Sequence, residues 1–522
     1  MNDSKTKFWI LMLLVTVYNF FFWGEKLGLN LFLFSGMLLG ALYYFYPGSW
    51  EVKHVKVSFA FTLIAMFMVL IYNSLIAKIA LFGSLAVTVA VFQERRLQSL
   101  MFAVAYSGLG LLYSLWKMVT VPLEIPEKLP TQIFPFKKAW RRAKLTVIPV
   151  FTFGIFFLIL EEANPVLDKI SFKVKMFFIE NTLTLAQLVY VHFSVVKFFF
   201  LLFGIWLVSA CLYRRPLGFL VHLEKSKSEQ IQRKRLNYKK LGLSISMIAL
   251  KNEYSMALVM LVLVNALLVV VNMIDISWLW FGFEYGKVDN FKDLVHKGTH
   301  MLILSILLSM GILLYFFRKN LNFYKRNTLL KKLSYLWIIQ NGILTFSVAL
   351  RTYYYIHQYG LAYKRIGLLI FLALTLFGLY SLFMKIYTGK SVYYLLKINS
   401  WALYTVLILM SLIDWDVWMV QYNIDHYYRT GKMDKGFLLS HADKTLPLIH
   451  AQVHLLDCSK EPEVNCQNRI YQEKLKSRIQ VYMNKQKYYT WLSWNYSDYK
   501  TDQYLKEVTL NNLIKKPKLQ PK

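Results

Sequence analysis

Arg351, Tyr355, Tyr359 and Arg365 fall within one short stretch, SVALRTYYYIHQYGLAYKRIG. An arginine fork takes phosphate or carboxylate with two parallel hydrogen bonds, and tyrosines add stacking faces and hydroxyls. Such a group could hold an anionic headgroup, a glycan-lipid or a small anion. The same tyrosines also fit the aromatic belt found where any membrane helix meets water. Both readings stand at this point. A second group, Glu284, Asp293, His296 and His300, lies in FGFEYGKVDNFKDLVHKGTH. His296 and His300 are four apart and share a helix face. HKGTH lacks the glutamate of a zinc-protease helix, so a proton-sensitive gate or a solvated link competes with metal binding, and no metal site is assigned. Lys197 sits inside an apolar run, where an ionisable group is costly and faces a cavity or a partner. Glu161, Glu162 and Asn164 end another apolar run, with Asn164-Pro165 marking a turn. No Ser-His-Asp order, phosphate loop or dinucleotide fingerprint is present, and no cofactor is expected.

These residues are positioned by membrane-length runs. The chain has 522 residues, of which 57% are hydrophobic and only 17% charged. That balance excludes an ordinary soluble protein. Runs of about 17–25 apolar residues cross the hydrocarbon core as helices, which satisfy their own backbone. Apolar-all-round runs exclude a β-barrel. The pattern predicts an all-α, polytopic membrane helix bundle of about twelve spans. A polar, mostly helical C-terminal tail follows.

Spans one to five occupy residues 1–118, with 29–46, 57–92 (broken at Asn73-Ser74) and 97–117 the clearest. A basic loop with four prolines, 119–144, follows. Spans six to twelve fill 145–413: six at 145–162, seven at 184–210, eight at 254–273, nine at 300–317, ten at 333–351, eleven at 366–384 and twelve at 394–413. Residues 414–522 form the tail.

The net charge of +32 is carried mostly by short links and the tail. It indicates positive-inside topology and attraction to anionic lipid headgroups rather than nucleic acid. Residues 214–240 hold nine Lys/Arg against two acids and 318–332 hold six against none, whereas 161–181 and 275–297 each hold three lysines against four acids. The basic loops are therefore expected in the cytoplasm and the tail outside. In the first third the count conflicts, because Lys5, Lys7, Lys53, Lys56, Arg95 and Arg96 would fall outside. Cys211 reads as an apolar filler. Cys458 and Cys466, in CSKEPEVNC, have a spacing that suits a disulfide if the tail is in an oxidising compartment.

EEANPV, FGFEYG with FKDLVHKGTHMLI, SVALRTYYYIHQYGLAYKRIG, Trp415-Asp416 through YNID, and WLSWNYSDY together resemble a bacterial family of multi-span membrane proteins, domain of unknown function 4173, with the related family 4153. The likeness is placed on residue 145 to the end. It implies a bacterial inner (cytoplasmic) membrane location and supplies no activity. One departure is Lys297, where the family pattern has an acid after the histidine. The function expected is transport or envelope assembly handling an anionic or lipid-linked solute. The alternative is a sensor or scaffold using the exposed tail. An enzyme acting through Glu161 or His296/His300 ranks last.

Overall fold

The computed structural model describes residues 2–120, 170–171, 173, 195–233, 246–281, 299–317, 320–456 and 468–514. Glu161, Asn164, Glu284, Asp293, His296, Cys458 and Cys466 lie outside the described residues. The described residues are helical with no strand. In chain order the helices are α1 Asn2–Phe22, α2 Leu29–Phe45, α3 Lys53–Tyr72, α4 Leu75–Gln93, α5 Leu100–Thr120, α6 Val195–Leu212, α7 Gly218–Lys225, α8 Ser246–Asp275, α9 Thr299–Phe316, α10 Thr328–Tyr359, α11 Tyr363–Thr388 and α12 Val392–Ser411. The tail adds α13 Trp415–Thr430, α14 Lys435–Leu438, α15 Leu446–Ala451, α16 Asn468–Gln486 and α17 Tyr496–Ile514. Eight described helices are long and apolar enough to cross a membrane, with shorter apolar helices at Leu29–Phe45, Leu100–Leu115 and Val196–Leu212. The chain is an all-α, membrane-type bundle.

It divides into two compact units, one of residues 1–25, 33–47 and 106–216, the other of 26–32, 48–105 and 217–522. In the first unit α1 runs antiparallel to α6: Tyr18 stacks on Phe200 at 4.7 Å, and Lys197 Nζ lies 5.6 Å from the Trp23 ring centroid. α5 is also antiparallel to α6, since Tyr106 meets Arg215 while Leu111 O accepts from Trp206 Nε1. A count with one crossing between spans five and seven makes these helices parallel. The described α5 and α6 are antiparallel instead.

The second unit has two chemically distinct ends. At one, Arg95 donates to Gly48 O at 2.9 Å, and Glu224 accepts from the amides of Gln98 and Ser99 and from the Tyr393 hydroxyl. Lys397 pairs with Glu229, and Lys385 donates to Phe317 O. Lys53, Lys56, Arg95 and Arg96 thus share this end with the basic 217–233 and 320–332 links. That corrects the expectation that they fall on the side opposite those loops. The other end carries the tail. α3 stops at Asn73 in the left-handed region (φ 48°), and Ser74 caps α4 by accepting from Ala77 N. This hairpin, the link at 26–28 and the link at 360–362 all meet the tail.

The tail has its own core. Val420, Ile424, Leu438, Leu446, Leu456 and Leu505 are each no more than 3% exposed. Burying each leucine contributes about 2 kcal/mol. The WLSWNYSDY segment anchors it: Leu29 N donates to Trp494 O at 2.8 Å, and Lys26 Nζ meets Asp498 Oδ2 at 2.5 Å. This contact requires Gly28, where a Cβ would sit 2.6 Å from the Ser493 and Trp494 carbonyl oxygens. Backbone cannot yield cheaply there. Gly28→Ala is expected to destabilise the tail contact by about 1–3 kcal/mol. Faster proteolytic nicking of the 487–495 region checks it, and an unchanged rate contradicts it.

Candidate functional site

The first site is a polar seam between α8 and α10. Asn265 Nδ2 donates to Leu333 O (3.1 Å) and Asn272 Nδ2 to Gln340 O (3.2 Å). Both pairs are 68 residues apart, so the helices run parallel in register, with α9 as the return crossing. Gln340 Nε2 donates to Asn265 Oδ1 at 2.6 Å. A π-helical turn, Ile276–Trp280, follows α8, and Trp280 Nε1 donates to Ser347 Oγ. At the tail-side end of the seam Arg351 Nη2 pairs with Asp275 Oδ1 at 2.5 Å, the two side chains being 10% and 6% exposed. A helical side chain leans toward its helix N-terminus, which lets Arg351 reach back down α10 to Asp275. Around this lattice pack apolar residues including Leu261, Leu268, Trp337 and Leu344.

Arg365 is also engaged. Its guanidinium stacks 4.5 Å from the Tyr355 centroid and donates to Tyr359 O (2.9 Å) and to Gly360 O. Tyr355 and Tyr359 lie 4.7 Å apart ring to ring. The structure thus brings Tyr355, Tyr359 and Arg365 together at the α10–α11 link and points Arg351 elsewhere, into the seam. An anion at the link competes with two backbone carbonyls. Lys197 is exposed in the first turn of α6, and His300 is exposed in the first turn of α9.

The second site clamps the tail to the bundle. Lys444 Nζ lies 2.7 Å from Asp414 Oδ1, 3.0 Å from Asp416 Oδ2 and 3.1 Å from Tyr72 O. Tyr363 donates its hydroxyl to Asp416 Oδ1. Asn423 bridges the Leu361 amide and carbonyl at 2.7 and 3.0 Å. Gly360 (φ +76°) makes room, because a Cβ there would collide with Asn423 Oδ1. His441 is buried against Tyr363 and Phe437, with neither ring nitrogen hydrogen-bonded among the described residues.

Burial holds the His441 pKa below its usual 6.5; Arg478 pushes the same way and Asp416 opposes. The unfolded chain therefore takes up a proton below pH 6.5 that the folded site resists. Stability from this group is complete above pH 6.5 and is lost as pH falls through the depressed value. A Tm measured from about pH 8 to about pH 5 should drop on the acid side, and His441→Phe should flatten that drop. An equal acid drop in both chains contradicts it.

Asp275, Lys444 and His441 were not among the residues the sequence singled out. Asp275 falls just past the end of the apolar run and reads as a link acid. The available signal was a matched spacing of seven: Asn265/Asn272 in one run and Gln340/Ser347 in another.

Long apolar helices, a buried polar seam and a folded tail define a polytopic α-helical membrane protein. More particularly, the chain belongs to the family described as Domain of unknown function (DUF4153), whose model matches residues 33–452. The match takes in α2 to α5, which the resemblance had left out, and stops before WLSWNYSDY. No curated protein and no solved structure matches the chain.

Proposed function

We propose that the protein is a sensor or scaffold of the bacterial inner membrane, with its C-terminal helical domain on the non-cytoplasmic face. The observation that carries this is the tail itself: a domain with its own core, tied by Lys444, Asn423 and Lys26 to three separate links of the bundle. A load on the domain is thereby delivered to α3–α4, α10–α11 and the 26–32 segment together. The basic residues gathered at the opposite end of the second unit support the sidedness.

The domain also offers a groove of about 410 Å³, floored by Leu475, Ile479 and Met483 and rimmed by Lys476 and Lys487. An apolar floor with a cationic rim suits an amphipathic segment with acidic flanks. Lys476→Glu with Lys487→Glu, both on exposed positions, tests the reading in the full-length protein. The double variant should reach the membrane at the parent level and fail to relieve the defect of a deletion strain. Full relief overturns the reading.

A further inference from the structure

We infer that the α8–α10 seam binds a small monovalent cation of the sodium class, next to Asp275 and independently of the role given to the tail. The direction of the amide network carries the inference. Asn265 spends its NH2 on the Leu261 and Leu333 carbonyls and its oxygen on Gln340 Nε2. Gln340 spends its NH2 on Asn265, and Asn272 spends its NH2 on Gln340 O. Flipping Asn272 would press oxygen against a carbonyl, and flipping Gln340 would press oxygen against Asn265 Oδ1, so the orientations are fixed by their partners.

Asn272 and Gln340 thus each present an unpaired oxygen. Asn272 Oδ1, Gln340 Oε1 and Asp275 Oδ2 have no hydrogen-bond partner among the described residues, and the leftover donors beside the seam are Arg351 Nε and Trp337 Nε1. All three oxygen-bearing residues are 4% exposed. The 68-residue register places the backbone of residue 340 beside Asn272 while the Gln340 amide reaches back to Asn265, and Asp275 stands one helical turn beyond Asn272 on α8, so the ion is placed at the Asn272 and Asp275 level. An unmatched buried oxygen at membrane depth is costly unless a donor or a cation meets it.

Hard oxygen donors select hard cations. The charge selects valence. The single carboxylate is already half neutralised by Arg351 on Oδ1, which leaves too little negative charge for a divalent ion. The same guanidinium weakens the site, so the expected affinity is on the order of millimolar. The π turn Ile276–Trp280 directly after Asp275 is a second, independent sign. Such turns take backbone carbonyls out of the regular ladder and concentrate at ligand sites. Water alone is the competing occupant.

The test is a thermal-unfolding titration of the purified full chain with NaCl, against KCl and choline chloride at constant ionic strength. Sodium should raise the midpoint saturably over choline. Asn272→Asp adds charge beside the ion and should tighten the apparent sodium affinity about tenfold. Asn272→Leu should weaken it by about tenfold or more. Opposite shifts from one position cannot arise from a general loss of folding. Equal midpoints in all three salts mean the seam holds water and overturn the inference. Two Asn272 variants that lower the midpoint without moving the sodium titration overturn it as well.

Discussion

Asp275→Ala is expected to lose about 3–5 kcal/mol of stability and most of the folded protein recovered from membranes. The pair it breaks spans 2.5 Å inside the bundle, with both side chains nearly closed to solvent. Removing the carboxylate leaves the Arg351 guanidinium charged, buried and still short of a partner at Nε. Arginine stays protonated at any practical pH, so it cannot escape by neutralising. The rescue separates pair energy from packing. Asp275→Leu combined with Arg351→Met removes both charges and keeps the volume, and should recover most of the loss, because a buried ion pair exchanged for apolar packing is close to neutral. Midpoints of purified single and double variants decide the matter. A single variant as stable as the parent, or a double no better than the single, contradicts this assignment of the pair.

Lys444→Ala is the second large effect, and a local one. It removes the cation between Asp414 and Asp416, whose side chains are 14% and 12% exposed, and frees the Tyr72 carbonyl at the end of α3. Two carboxylates are then left facing one vacated position. The expected loss is about 3 kcal/mol. Asp414 keeps its cap on Val417 N, and Asp416 keeps the Tyr363 hydroxyl, so α13 itself should survive. The tail should open from the bundle while its own leucine core holds. Limited proteolysis should show cutting near Gly431 and Lys432 that is rare in the parent, with the bundle fragment intact. Lys444→Arg should restore protection, since it returns the charge. Equal cutting in parent and Lys444→Ala contradicts the clamp.

Hydropathy located the helices well and their ends poorly. The runs 29–46 and 394–413 correspond to Leu29–Phe45 and Val392–Ser411, since there the apolar stretch and the hydrogen-bonded stretch coincide. The run 333–351 is only the oil-soluble part of Thr328–Tyr359. A helix continues through Lys331, Lys332 and the tyrosines until a residue permits the turn, here Gly360 in the left-handed region. Arg351 consequently stands mid-helix, pointing at α8, not at a link. Its partner lies 76 residues away and Lys444 lies 28 beyond Asp416. Periodicity within one helix carries no information on such pairings. The parallel register of α8 and α10 was legible only as two apolar runs each carrying polar side chains at a spacing of seven, a pattern that acquires meaning once the runs are known to touch.

Sidedness is the claim on which the sensor reading turns, and cysteine labelling of intact cells measures it. In a chain with Cys211, Cys458 and Cys466 replaced by serine, a single cysteine is placed at Tyr488, 83% exposed in the tail, or at Lys227, exposed at the basic end. A membrane-impermeant maleimide should label Tyr488→Cys in intact cells and Lys227→Cys only after permeabilisation. Labelling of Lys227→Cys in intact cells, with Tyr488→Cys protected, would place the folded domain in the cytoplasm and contradict it.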